Sequence, residues 1–299
     1  MLRTRLLTAA VLAPIILLVV VLGEPWLSLL IGVVAFLAMV ELVALLDAAG
    51  YQPPQVLTIL AGVALTAAGL ISVNEAGIGG VLTTVIAALD PPGLVAAILI
   101  AVTLLLAVAA FMRSDARAGF VTWAMSTFGA SYVGVLLPTI VLVAHLPAPG
   151  GTATTPVGVL GLGSGVAWTL ALVTIVWAYD TGAYLVGRQV GRTRLVDHIS
   201  PSKTVEGLAG GLVAATIGAG IGAALIGLEP WHPLILGPLV GLAAQTGDLA
   251  ESLLKRAADR KESGFLVPGH GGILDRVDSF LFAAPVLAGY ALLVAGRGA

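Results

Sequence analysis

Nine apolar runs dominate this chain and leave it few architectures. They fall at about 6–22, 26–46, 56–73, 93–112, 119–145, 165–187, 206–227, 233–254 and 277–295. Each is near the ~20 residues a helix needs to cross ~30 Å of hydrocarbon. Backbone groups in lipid must be paired within their own segment, so such runs fold as helices. The expectation is an all-α polytopic membrane protein with about nine transmembrane helices. Charge content agrees. Only 10% of residues are charged, against roughly 25% in a soluble domain. The first run follows Arg3 and Arg5 and shows no small-x-small cleavage site before Glu24-Pro25, so it reads as a retained helix rather than a signal peptide. Pro14 is expected to kink it, and Pro138 to bend or end the long run at 119–145. The segment 74–92 closes on Asp90-Pro-Pro and reads as a loop or re-entrant piece, and 147–164 as an external loop.

Lysine and arginine set the orientation of such a chain. With a cytoplasmic N-terminus, the inner side receives Arg3, Arg5, Arg113, Arg117, Arg188, Arg192, Arg194, Lys203, Lys255, Arg256, Arg260, Lys261 and Arg276, or 13 of the 14 basic residues. Only Arg297 falls outside. The chain then divides into residues 1–160, a lipid-facing helical scaffold, and 161–299, a catalytic region with its site at the cytoplasmic ends of the C-terminal helices. Net charge is −2, which gives no bulk case for nucleic acid. With no cysteine, disulfides, haem attachment and thiol catalysis are excluded.

Charge concentrates between Asp248 and Asp278. These 31 positions hold Lys255, Arg256, Arg260, Lys261 and Arg276 together with Asp248, Glu251, Asp259, Glu262, Asp275 and Asp278. Asp248 lies near the end of an apolar run, where an ionised carboxylate needs a partner or water. It is either an interfacial helix-end acid or a metal ligand, with Glu251 and Ser252 on its helical face. Asp275 and Asp278 share a face at the start of the last run. They serve as dipole-favoured N-terminal acids or as metal ligands beside the loop His270-Gly271-Gly272, whose backbone N–H groups suit anionic oxygens. Carboxylates, a glycine loop and the Lys255/Arg256 cations are what phosphoryl or nucleotidyl transfer needs.

A second cluster is Ser200-Pro-Ser202-Lys203-Thr204-Val-Glu206-Gly207. Its hydroxyls and Lys203 suit phosphate, and the same residues suit an N-cap with Glu206 in the first turn. Asp180 has Tyr179, Thr181 and Tyr184 beside it and precedes the Arg188/Arg192/Arg194 loop, so it joins the candidate site. Glu41 has less company and reads as structural. His145, His198 and His232 are scattered and read as surface residues. No GxxxxGK[ST] or HExxH pattern is present.

Residues 252–278 resemble the signature of the phosphatidate cytidylyltransferases, the CDP-diacylglycerol synthases. The match runs Ser252-x-Leu-Lys255-Arg256-x4-Lys261-Glu-Ser-Gly264-x2-Val-Pro-x-His270-Gly271-Gly272-Ile-x-Asp275-Arg276-Val-Asp278. Glu262 stands where the family usually has Asp, and Val267 where Leu, Ile or Phe is usual. Gly247-Asp248-Leu249 and residues 200–207 also look like this family.

The resemblance implies that CTP and phosphatidic acid give CDP-diacylglycerol and pyrophosphate in the cell (inner) membrane, on its cytoplasmic face. It implies Mg²⁺, with K⁺ as a candidate second ion. Asp248 and Asp275 correspond to the family's metal-bridging aspartates, with Asp278 and Glu251 as additional ligands. Lys203, Lys255, Arg256 and Arg276 are then the phosphate-neutralising groups. Ser200, Ser202, Thr204, Glu206, Ser252, Lys261, His270, Gly271, Gly272 and Asp180 line the substrates. Membrane lipid is a partner, nucleic acid is not, and a homodimer is the candidate assembly.

Two other readings stay open. One is a CTP-dependent polyprenol or lipid kinase. The other is an ion-coupled transporter using Asp180, Glu41 and Asp248 as a relay.

Overall fold

The structure is a computed structural model that describes residues 2–73, 91–148, 155–267 and 271–295. Its helices are α1 (Leu2–Leu22), α2 (Trp26–Ala48), α3 (Gln55–Val73), α4 (Pro91–Phe111), α5 (Ala116–Gly134), α6 (Thr139–Val143), α7 (Pro156–Val159), α8 (Ser164–Val190), α9 (Val205–Ile226), α10 (Pro233–Ala257) and α11 (Leu274–Ala295). A two-stranded antiparallel hairpin, β1 (Arg194–Val196) and β2 (Ser200–Thr204), joins α8 to α9. The chain is therefore all-α, as its apolar runs require.

Among the described residues, seven helices are long and apolar enough to cross a membrane. They account for seven of the nine runs. The first run is helical, but its described apolar stretch, Ala10–Leu22, is short. The run at 233–254 is helical as well. Its helix, α10, carries Pro238, Gln245, Thr246, Asp248 and Glu251, and that polar content removes it from the spanning set. The long run at 119–145 splits where expected. Pro138 has no N–H to donate, and turns separate α5 from α6 there. α1 continues through Pro14. Residues 74–90, read as a loop or re-entrant piece, lie outside the described residues, as do His270, Arg297 and residues 149–154 of the expected external loop.

Packing divides the chain into two discontinuous units. One is Met1–Leu27, Leu142–Leu253 and Arg276–Ala299, and the other is Ser28–Val141 and Leu254–Asp275. This division by packing is distinct from the split near residue 160 read from where the charge lies.

In the first unit, α9 lies antiparallel along α8. Gly211 meets the Tyr179 ring, Gly218 the backbone at Thr174 and Ile175, and Gly222 Ala171, so positions rise on one helix as they fall on the other. The buried stripe Gly207, Gly211, Ala215, Gly218 and Gly222 recurs at helical spacing. Small residues on such a stripe let two backbones approach closely where lipid offers no hydrophobic drive. α10 packs on α9 through Gly237, where a Cβ would come 2.4 Å from Thr216 Cα.

In the second unit, Ala61 and Leu65 of α3, Val102 and Leu106 of α4 and Ala130 of α5 form one buried cluster. Trp123 closes its edge and donates its indole N–H to the Thr103 carbonyl at 3.0 Å. Ile100, Leu104, Leu105 and Val108 of α4 point outward and are exposed. A stripe of large apolar side chains that no protein covers is a surface suited to lipid.

Candidate active site

In the first unit the site is built on the α8–hairpin–α9 connection. Thr204 is the N-cap of α9 in extended conformation, and its hydroxyl accepts the Gly207 N–H at 3.1 Å. Two residues on, in the first turn, the Glu206 carboxylate accepts the Arg192 N–H at 3.0 Å and the Thr193 hydroxyl at 3.0 Å. It thereby ties the end of α8 to the start of α9. Capping residues are what their sequence positions suggested, and here the caps also fix the hairpin.

Lys203 extends from the fixed strand. Its ammonium lies 2.5 Å from Asp248 Oδ2 on α10. The other Asp248 oxygen faces the Ser252 hydroxyl at a long 3.4 Å, and a third of this side chain remains exposed (35%). Asp180 on α8 lies within electrostatic reach of Asp248, Lys203 and Arg276. Two acids and two cations thus share one neighbourhood. Beneath them the Tyr179 hydroxyl donates to Gln245 Oε1 at 2.6 Å in the buried α8–α10 seam.

Asp248 owes its position to the residue before it. At Gly247 an added Cβ would lie 2.3 Å from the Asp278 carbonyl oxygen, so α10 and α11 touch there by backbone. Glu251, one turn further, is fully buried. Ser200 is buried at the start of β2, whereas Ser202 is exposed.

The second unit holds the other half of the charge cluster. α10 ends through Asp259, which takes φ +52°, while the Arg260 N–H returns to the Lys255 carbonyl at 2.8 Å. Lys255 and Arg256 occupy the last turn, where cations complement the helix dipole. The Arg256 guanidinium donates to the Arg260 carbonyl at 3.1 Å, and Lys261 is exposed.

Lys255 Nζ lies 2.6 Å from Asp275 Oδ1. The second oxygen of Asp275 accepts the Ser263 N–H at 3.0 Å, the Ser263 hydroxyl at 2.8 Å and the Gly272 N–H at 2.8 Å. Gly271 and Gly272 make this possible. Gly271 sits at φ +81°, and a Cβ on it would come 2.7 Å from Asp275 Oδ2. The Val267 N–H closes the loop on the Gly271 carbonyl at 2.9 Å.

Glu41 was read from sequence as having little company, and here the structure corrects the sequence. Glu41 is buried on α2 and accepts the Ile273 N–H at 3.0 Å and the Leu274 N–H at 2.8 Å at the start of α11. Ser263, singled out only as one position of the signature, stands between Glu41 and Asp275. His232, read as a surface residue, is buried at 6% exposure and held by the Tyr290 hydroxyl at 2.6 Å. His145 and His198 are exposed.

Asp248 in the first unit, its side chain partly exposed, and Asp275 in the second each present carboxylate oxygens, the hard donors that suit a divalent cation. Among the described residues no three His, Cys, Asp or Glu side chains form a ready cage. Mg²⁺ rarely uses such cages and is held by one or two carboxylates plus substrate phosphates.

A profile described as the cytidylyltransferase family matches residues 3–294. Curated relatives named phosphatidate cytidylyltransferase include one from Synechocystis sp., 41% identical over 152 residues, which are 50% of this chain and 52% of the relative. Another, from Bacillus subtilis, is 47% identical over 125 residues, covering 41% of this chain and 46% of the relative. One from Staphylococcus saprophyticus is 43% identical over 125 residues, covering 41% and 48%. The matched stretch spans about half the length of each relative. With the family profile running almost end to end, the chain belongs to the cytidylyltransferase family.

Proposed function

We propose that this chain transfers the cytidylyl group of CTP to phosphatidic acid in the cell membrane, with its site facing the cytoplasm. A phosphate oxygen of the lipid attacks the α-phosphorus of CTP. The bond from the α-phosphorus to the bridging oxygen breaks, pyrophosphate leaves, and CDP-diacylglycerol remains. The names of the relatives support the substrates. One observation carries the chemistry: both aspartates that match the family's metal-bridging pair are paired with a lysine, Lys203 with Asp248 and Lys255 with Asp275.

Such pairs are poised to exchange partners. Each lysine turns to a phosphate oxygen and neutralises charge that develops as the α-phosphorus is attacked. Each aspartate is then left with a carboxylate oxygen no longer bound to its lysine. Asp248 and Asp275 would hold Mg²⁺, which when bound supplies Lewis-acid neutralisation of phosphate oxygens. Arg276 and Arg256 add positive charge in reach of the head groups. No protein nucleophile is required, because a phosphate monoester with a second pKa near ~6 is mostly ionised at neutral pH. The lipid's acyl chains stay in the bilayer beside apolar helix faces while its phosphate meets a soluble nucleotide.

The test is a pyrophosphate-release assay with CTP and phosphatidate on wild type, Asp248→Asn and Asp275→Asn. Wild type should release pyrophosphate in step with CDP-diacylglycerol, and each variant should lose at least ~100-fold. Release of CDP instead would identify a CTP-dependent lipid kinase. Near wild-type turnover in either variant would remove that aspartate from the reaction.

A further inference from the structure

Glu41 is a buried carboxylate on a membrane-spanning helix with 5% exposure. A charge in such a place marks a paired or functional site. Its partners come from far along the chain. Oε1 accepts the Ile273 N–H at 3.0 Å and Oε2 the Leu274 N–H at 2.8 Å. Oε2 also lies 3.1 Å from the Ser263 hydroxyl, 222 residues away in sequence. That hydroxyl is 2.8 Å from Asp275 Oδ2. It has one proton and serves one carboxylate at a time, so it couples the two.

The surrounding glycines are cut to fit this carboxylate. A Cβ on Gly264 would lie 2.3 Å from Glu41 Oε1, and one on Gly272 would lie 2.4 Å from Oε2. Ser263, Gly264, Gly272, Ile273 and Leu274 thus surround Glu41 at contact distance. Glu41 caps the backbone N–H groups of Ile273, just before α11, and of Leu274, its first residue, from another helix, a task otherwise left to a local Ser, Thr or Asp. Asp275 is the next residue after those capped positions.

We propose that Glu41 is a positioning residue for Asp275, acting through the Ser263 hydroxyl and the backbone N–H groups of Ile273 and Leu274. It rests on the cytidylyl-transfer reading, in which Asp275 meets the reacting groups. Glu41 itself touches no substrate. A displacement of about 1 Å at a reacting group can cost about 100-fold in rate. Glu41→Gln would turn an amide NH₂ toward one of the two backbone donors and open one end of this clamp.

The experiment uses the full chain in detergent micelles with Glu41→Gln, Ser263→Ala, the double variant and Asp275→Asn. Pyrophosphate release gives kcat and KM for CTP, and amide exchange by mass spectrometry reports on residues 272–274. Glu41→Gln and Ser263→Ala should each lower kcat about 10- to 100-fold, with KM for CTP moving less than about threefold. Exchange at Ile273 and Leu274 should speed up in Glu41→Gln. The double variant should be no worse than the poorer single, and neither change should slow Asp275→Asn further, because all act through one group. Losses that multiply in the double variant would overturn the positioning role, and so would a kcat within twofold of wild type in Ser263→Ala. The Ser263→Ala measurement decides by itself should Glu41→Gln fail to fold. An active wild type with multiplying losses sinks only this role, while a wild type that makes no pyrophosphate sinks the reaction and the role together.

Discussion

Lys255 and Asp275 meet at 2.6 Å with side chains only 11% and 7% exposed. Lys203 and Asp248 meet at a similar distance, yet those side chains are 17% and 35% exposed. The chemistry is the same and the solvation differs. Removing one partner of a buried pair leaves an uncompensated charge and costs about 3–5 kcal/mol. Asp275 retains the donors from Ser263 and Gly272, which places Lys255→Met near the low end. At the more exposed pair, water compensates the abandoned carboxylate. Lys255→Met should therefore lower the melting temperature in detergent clearly more than Lys203→Met, while both lose turnover. Equal destabilisation would refute the difference in burial.

The hairpin that carries Lys203 is held by Glu206. Its carboxylate accepts from the Arg192 N–H, the Thr193 N–H and the Thr193 hydroxyl. Glu206→Ala removes those acceptors and leaves the Thr204 cap in place. The connection loosens at an exposed position, so the melting temperature should change little. Turnover should fall about tenfold, because the cation at Lys203 is no longer fixed relative to Asp248. Steady-state kinetics beside a thermal melt checks both halves. A large loss of stability with kcat preserved would contradict this account.

How much of this was legible in the sequence follows the range of the interactions. The apolar runs declare helices because lipid leaves no other outlet for backbone polar groups. Pro138 marks the break between α5 and α6 for an equally local reason. Thr204 and Glu206 are local too, and the N-cap reading of them held. The charge cluster was visible as composition, but its pairing was not. Lys255 and Asp275 are 20 residues apart and Lys203 and Asp248 are 45 apart, and nothing in either segment names the partner. The company Glu41 keeps is hidden in the sequence for the same reason, since its partners lie more than 220 residues on. The run at 233–254 looked like a span because its first half is apolar, whereas α10 spends its second half on Gln245, Asp248 and Glu251.

Gly247 is where α10 and α11 touch. Gly247→Ala would drive its Cβ into the Asp278 carbonyl, so the helices must part and Asp248 must shift with them. Small-to-large changes in tight packing cost about 1–3 kcal/mol. Gly220, on α9, has nothing within 4 Å of an added Cβ. Gly220→Ala should instead stabilise the chain by roughly 0.5–1 kcal/mol through helix propensity and leave turnover intact. Melting curves of the two variants should move in opposite directions. A stabilised Gly247→Ala enzyme with full turnover would show that the close approach is not needed.

His232 supplies a pH dependence remote from the charged cluster. It sits between α9 and α10, with its ring stacked on Trp231 at 3.8 Å and bonded to the Tyr290 hydroxyl. Burial holds its pKa below the usual histidine value, partly opposed by the charge of Glu229. The unfolded chain takes up its proton near pH ~6.5 and the folded chain only at lower pH. Between those values the unfolded state binds more protons, so stability rises with pH. The contribution is complete above about pH 6.5 and is lost as pH falls below it. The melting temperature of wild type should therefore drop between pH 7 and pH 5, and His232→Gln should lower the melting temperature at pH 7 while flattening that slope. No other histidine in the described residues is buried, so an unchanged slope in the variant would assign the acid sensitivity to groups other than histidine.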